Sequence, residues 1–242
     1  MLARRWRFSG AMAICALLAG CSPDLDRIPL GQTVSESSQA PHEVLSSADG
    51  PAADGPAIVA LGDSLTAGLG LDPDQAYPAL LERQLRAEGF TARVVNAGVS
   101  GDTSAAALRR AVWAMDGDVR IMIVALGGND GLRGLPADQM KQNLVDIVSM
   151  ARERGIAVLL AGMEAPPNFG STYAAQFRQV FADVASDFDL AFMPFLLAGV
   201  AADPALNQAD GIHPNPEGAR IVAAAVRASL EPLLPALTAE AH

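Results

Sequence analysis

From Ala57 onward the chain alternates two kinds of segment, and that alternation leaves few folds open to it. Short apolar runs lie at Ala57 to Leu61, Ala92 to Asn96, Val119 to Leu126, Ile156 to Gly162 and Leu190 to Phe195. Each is followed by a longer stretch in which apolar residues recur with a helical period: Gln75 to Glu88, Ser104 to Met115, Ala137 to Arg154, Tyr173 to Phe188 and Pro216 to Leu234. An apolar run without polar alternation is a strand buried on both faces, and strands joined by helices run parallel. The pattern predicts one doubly wound α/β domain over residues 57–242, a five-stranded parallel sheet within three α/β/α layers. No solenoid-type internal repeat accompanies it.

Composition agrees with a folded domain and narrows its partners. Half of the 242 residues are hydrophobic, only 18% are charged and mean hydropathy is +0.24, which excludes a disordered chain. The net charge of −10 argues against a nucleic-acid partner, which calls for a basic stripe.

The first 56 residues read differently. Arg4, Arg5 and Arg7 precede an uncharged run from Phe8 to Pro23 that is too short for a spanning helix, so residues 1–20 are expected to be a signal peptide. At its end Leu18-Ala19-Gly20-Cys21 resembles a bacterial lipobox, in which the cysteine thiol takes a diacylglycerol. Cys15 would leave with the leader, so no cysteine pair remains for a disulfide or a metal site. The mature chain would carry 14 basic against 27 acidic residues, and attachment to a membrane would rest on acyl chains rather than charge. The expected location is the bacterial cell envelope, facing the periplasm, with Ser22 favouring the outer membrane. Ser22 to Pro56 holds five prolines, six acids and no aromatic residue, too little apolar surface to offset ordering. Residues 21–56 thus read as a lipidated cysteine and a disordered tether, spanning roughly 30 to 35 Å as a flexible coil.

In an open parallel sheet, ligands bind beyond the carboxyl ends of the strands where strand order reverses. With the order 2-1-3-4-5, three neighbouring loops would meet there: Gly62-Asp63-Ser64-Leu65-Thr66, Asn96 to Thr103, and Gly127-Gly128-Asn129-Asp130. They supply a hydroxyl, a glycine-rich backbone and a side-chain amide, the components of acyl transfer. Loop composition leaves Gly98 and Gly101 equally eligible as backbone donors. A hydroxyl needs a base, and the chain has three histidines, of which His42 lies in the tether and His242 ends the chain. His213 remains, three residues after Asp210 in a turn-forming segment, a spacing at which the carboxylate can fold back on the imidazole. Asp63, Asp74 and Asp102 read as loop or cap residues, and Asp130 as ordering the Asn129 loop. Gly68-Leu69-Gly70 lacks the rest of a dinucleotide fingerprint, and no metal-ligand spacing occurs, so neither cofactor nor metal is expected.

Gly62-Asp63-Ser64-Leu65, Gly101, Gly127-Gly128-Asn129-Asp130 and Asp210-x-x-His213 together resemble the four sequence blocks of the GDSL or SGNH hydrolase superfamily. The runs Ser100 to Ser104, Leu126 to Gly134 and Asp210 to Asn215 are similar to its periplasmic thioesterase I, lysophospholipase and arylesterase branch. The resemblance implies the flavodoxin-like SGNH fold, with Ser64 as nucleophile, His213 as base and Asp210 as its orienting partner. It also implies an oxyanion hole formed by the N–H of Ser64, the N–H of Gly101 and the amide of Asn129. Leu132, Arg133, Pro167 and Phe169 are the expected cleft residues. The implied protein is a monomeric, lipid-anchored serine esterase acting on small esters, thioesters or lysophospholipids. A carbohydrate O-deacetylase and a non-catalytic lipid-binding lipoprotein are the alternatives.

Overall fold

A computed structural model of the protein describes residues 55–238. The apolar runs form β1 (Ala57–Gly62), β2 (Arg93–Gly98), β3 (Val119–Ala125), β4 (Ala157–Ala161) and β5 (Ala191–Met193), all parallel, in the order β2-β1-β3-β4-β5. Every residue of β1 is buried, as an unalternating apolar run requires. Chain direction across the sheet reverses at β1, and right-handed crossovers therefore place the helices on opposite faces. Helix α2 (Tyr77–Ala87) packs with α7 (Pro216–Ser229), while α3 (Ser104–Ala114), α5 (Ala137–Glu153) and α6 (Ser171–Asp187) pack in series. One continuous core fills the space between, with Phe177 and Phe181 of α6 among its largest buried side chains.

Two segments end earlier than periodicity predicts. The expected helix Pro216 to Leu234 stops at Ser229 and continues as a 3-10 helix over Glu231–Leu237, because Pro232 and Pro235 lack the N–H groups an α-helix needs. The expected strand Leu190 to Phe195 is reduced to three residues, and Pro194 follows it directly. Two short helices, α1 (Ser64–Ala67) and α4 (Gly128–Leu132), occupy loops in the sequence reading and are too brief to display a period. The leader and tether expected at residues 1–56, including Cys21 and His42, lie outside the described residues apart from Gly55 and Pro56, as does His242. Among the described residues, no helix is long and apolar enough to cross a membrane.

The loops after β1, β2 and β3 emerge side by side, since Gly62 pairs with Gly98 on one side and Ala125 on the other. Gly62 has to be glycine for β1 to turn straight into α1: a Cβ there would lie 2.0 Å from Thr66 Oγ1.

Candidate active site

Ser64 opens α1, directly behind the end of β1. Asp63 caps that helix, its Oδ1 accepting the Leu65 N–H at 3.0 Å. One turn on, buried Thr66 hydrogen-bonds the hydroxyl of Tyr77 at 3.1 Å, fixing α1 to α2. The serine hydroxyl is thus held at the sheet's carboxyl edge by a helix with little freedom to move.

His213 arrives from the far side of the sheet through the long segment after β5. Buried Asn207 donates to the carbonyls of Val200 and Asp203, Asn207 bridges Pro214, and the Gln208 N–H donates to the His213 carbonyl at 2.7 Å. The Gln208 amide then donates to the carbonyl of Leu69, just past α1, at 2.7 Å. Length alone brings the histidine back to Ser64, and these bonds set its position. His213 Nε2 lies 2.8 Å from Ser64 Oγ, and Nδ1 lies 2.6 Å from Asp210 Oδ2.

Protonation states follow from the hydrogen bonds. The backbone N–H groups of His213 and Ile212 and then the His213 ring hold the Asp210 carboxyl at about 2, well below the usual carboxylate range. An ionised Asp210 accepts the N–H at Nδ1, which leaves Nε2 facing the Ser64 hydroxyl. Asp63 behaves oppositely. Burial raises its carboxyl to about 6, although the Leu65 N–H, the His213 ring and the Asn129 amide each favour its ionised form.

The third loop adds a donor. Asn129 Nδ2 reaches the Asp102 carbonyl at 3.0 Å and Asp63 Oδ2 at 3.3 Å. Its neighbour Asp130 is buried and accepts both the N–H and the hydroxyl of Ser104, at 2.8 and 2.6 Å, while Asn143 donates to that hydroxyl at 2.8 Å. The network pins the loop after β3 to the start of α3. Gly98 and Gly101 now separate. Gly98 belongs to β2, its N–H is taken by Asn96 Oδ1 at 3.0 Å, and a Cβ on it would strike the Ala67 nitrogen. Gly101 stands in the exposed loop with φ of +87°, a left-handed conformation that suits glycine. Among the described residues, no backbone acceptor takes the N–H of Ser64 or Gly101.

Ser64, His213, Asn129 and Asp63 border a cleft of about 590 Å³, mostly apolar, whose walls include Leu132, Met163, Pro167, Phe195 and Ile212; Gly101 lies outside that lining. Of the expected cleft residues, Leu132 and Pro167 line it. Arg133 and Phe169 are not among its lining residues. The Phe169 ring is held edge-on to Tyr173 at 5.5 Å and against Gly134, and Arg133 Nη2 donates to the Gly101 carbonyl at 2.9 Å. Met163, Phe195, Leu197 and Ile212 went unrecognised as walls because nothing local distinguishes them from core or loop apolar residues. Among the described residues, no group of three or more His, Cys, Asp or Glu side chains could hold a metal ion.

A sequence profile of the GDSL-like Lipase/Acylhydrolase family matches residues 60–221. Esterase TesA of Pseudomonas aeruginosa is 45% identical over 65% of this chain and 79% of its own. Thioesterase 1/protease 1/lysophospholipase L1 of Escherichia coli is 35% identical over 73% of this chain and 84% of its own. A crystal structure of TesA, 42% identical, superposes with a TM-score of 0.70 over 73% of this chain and 99% of that one. The family match starts inside β1 and ends inside α7, enclosing both the serine and the histidine that the fold brings within 2.8 Å. By that match and these identities, the chain belongs to the GDSL-like Lipase/Acylhydrolase family.

Proposed function

We propose that this protein is a serine esterase that hydrolyses aryl and short to medium acyl esters, and acyl thioesters or lysophospholipids, through an acyl-enzyme on Ser64. The observation that carries this reading is the Ser64, His213, Asp210 relay of 2.8 and 2.6 Å beside an apolar cleft. The names of the relatives point the same way. Ser64 Oγ attacks the acyl carbon while its proton passes to His213 Nε2, and the carbonyl electrons move onto oxygen. The N–H groups of Ser64 and Gly101 and the Asn129 amide hold that oxyanion. As the oxyanion collapses, His213 gives the proton to the departing alkoxide or thiolate; a water, deprotonated by the same nitrogen, then attacks the acyl carbon, and that proton passes to Ser64 Oγ as its bond to the acyl carbon breaks and the acid leaves.

A p-nitrophenyl ester panel from about two to sixteen carbons, run beside acetylated glycans, tests the substrate class; the cleft volume is that of a small-ligand site. Cleavage of the short to medium esters is expected. Acetyl-only cleavage with preference for glycans would establish the O-deacetylase instead, and no turnover at all would favour a lipid-binding role.

The reading extends to a periplasm-facing protein held in the cell envelope by a lipid on Cys21, supported by the leader and the Leu18-Ala19-Gly20-Cys21 run. Metabolic labelling with a fatty acid should mark the wild type and vanish in Cys21→Ser; persistent label would place the lipid elsewhere.

A further inference from the structure

Arg110 lies two turns into α3, outside every block that carries the family resemblance, yet its guanidinium turns inward toward the site. Nε donates to Asp102 Oδ2 at 2.7 Å, Nη1 to the Ala97 carbonyl at 2.7 Å and Nη2 to the Gly62 carbonyl at 2.9 Å. The side chains of Arg110 and Asp102 are only 20% and 15% exposed. Ala97 and Gly62 lie at the carboxyl ends of β2 and β1, so one planar group ties two strand ends to the loop between β2 and α3.

Two of those three attachment points, Gly62 and Asp102, adjoin donors of the proposed oxyanion hole. Gly62 is two residues before Ser64. Asp102 directly follows Gly101, and the Asp102 carbonyl is the 3.0 Å acceptor for Asn129 Nδ2. We infer that Arg110 and Asp102 are positioning residues for the oxyanion hole, one ion pair fixing the mutual placement of the Ser64, Gly101 and Asn129 donors. The inference rests on the acyl-transfer reading of those donors.

Gly101 adopts a left-handed conformation, and beyond its chain neighbours no atom lies within 4 Å of where its Cβ would be, so its turn is held by the 3.1 Å bond from the Asp102 N–H to the Val99 carbonyl and little by packing. The tie from Arg133 to its carbonyl comes from an exposed side chain, whereas the Arg110 tie is largely shielded from water. A guanidinium presents several N–H groups in a fixed fork, so it can set three acceptors at once; a lysine ammonium on a flexible stem cannot reproduce that geometry. Oxyanion donors act strongly because they are already in place when charge develops, and misplacement by about 1 Å can cost about 100-fold.

The test compares Arg110→Met, Arg110→Lys and Asp102→Asn with Arg109→Met, a control on the same helix whose side chain is exposed and bonds only to the Ala105 carbonyl. In Arg110→Met, kcat for a p-nitrophenyl ester should fall about 10- to 100-fold while KM stays within about threefold. The inhibition constant of an alkyl trifluoromethyl ketone, whose hemiketal oxygen occupies the hole, should rise in step with the loss in kcat/KM. Arg110→Lys should recover part of both, Asp102→Asn should fall between, and Arg109→Met should match the wild type. In an Asn129→Ala background, Arg110→Met should cost distinctly less than in the wild type, because one donor it positions is gone. A folded Arg110→Met with kcat within twofold of wild type overturns the inference, as does a fall in kcat with unchanged ketone affinity. If Arg110→Met does not fold, Arg110→Lys and Asp102→Asn are judged by the same two measurements. A wild type that neither turns over esters nor binds the ketone would instead overturn the acyl-transfer reading beneath it.

Discussion

Ser64→Ala should lower kcat for a p-nitrophenyl ester by about 10⁵-fold, with KM and the unfolding midpoint nearly unchanged. The substitution removes the one atom that can bond covalently to the acyl carbon. It leaves α1 intact: the Asp63 cap, the Thr66 to Tyr77 bond and the Gly62 turn involve no Ser64 side-chain atom. His213→Ala should cost about as much, because a serine hydroxyl without its base is scarcely nucleophilic at neutral pH. The double variant should be no slower than either single one, since the two residues act as one unit. A fluorophosphonate should label the wild type at one equivalent per chain and fail to label Ser64→Ala. Turnover by Ser64→Ala above about 1% of the wild type would sink the assignment, because no water-mediated route through the remaining groups approaches that fraction.

The contrast between Ser64 and Arg110 separates what a sequence can disclose from what it withholds. Ser64, Asn129 and His213 were legible because each follows a strand or a long loop whose position in a parallel sheet is fixed by topology. The five apolar runs indicated a parallel sheet, the resemblance implied the strand order, and the scarcity of histidine left His213 as the candidate away from the tether and the end of the chain. The reach from His213 to Ser64 was expected from loop length, but the bonds of Asn207 and Gln208 that fix it are long-range or internal to an irregular segment and follow no period. Arg110 was illegible for a similar reason. On an alanine-rich helix with two adjacent arginines, Arg109 and Arg110 look alike, and only the packing of α3 against the sheet decides which of them faces the strand ends. In the sequence Asp63 reads as a loop or cap residue, and it does cap α1, yet its burial and its bond to Asn129 depend on the loop after β3, 66 residues away. The shortened β5 and α7 were visible in principle, since Pro194, Pro232 and Pro235 stand in the sequence; apolar periodicity ran past them because it registers side chains and not missing N–H groups.

Asn129→Ala should reduce kcat by about 10²- to 10³-fold, the range for loss of one preorganised oxyanion donor, with a much smaller change in KM. In the resting structure both amide hydrogens have partners, Asp102 at 3.0 Å and Asp63 at 3.3 Å. The longer of these bonds is the one an oxyanion can displace, because the Asp63 carboxylate keeps its 3.0 Å bond from Leu65 when the amide turns away. The Asp102 bond meanwhile holds the side chain in place, so the exchange costs little reorganisation. Asn129→Asp separates this role from a structural one. It keeps the size of the side chain but supplies no donor, and it sets a second carboxylate against buried Asp63, whose pKa already stands at about 6. Kinetically it should be at least as impaired as Asn129→Ala, and because the loss of the amide and the added carboxyl both disfavour ionisation of the buried pair, its stability in urea should fall relative to Asn129→Ala as the pH rises. Were Asn129 only a loop tie, kcat at a temperature where each variant is folded would track stability, and Asn129→Ala would retain most of the wild-type rate. A fall in kcat of less than about tenfold in folded Asn129→Ala would therefore remove the amide from the oxyanion hole and leave the backbone N–H groups of Ser64 and Gly101 to carry the charge.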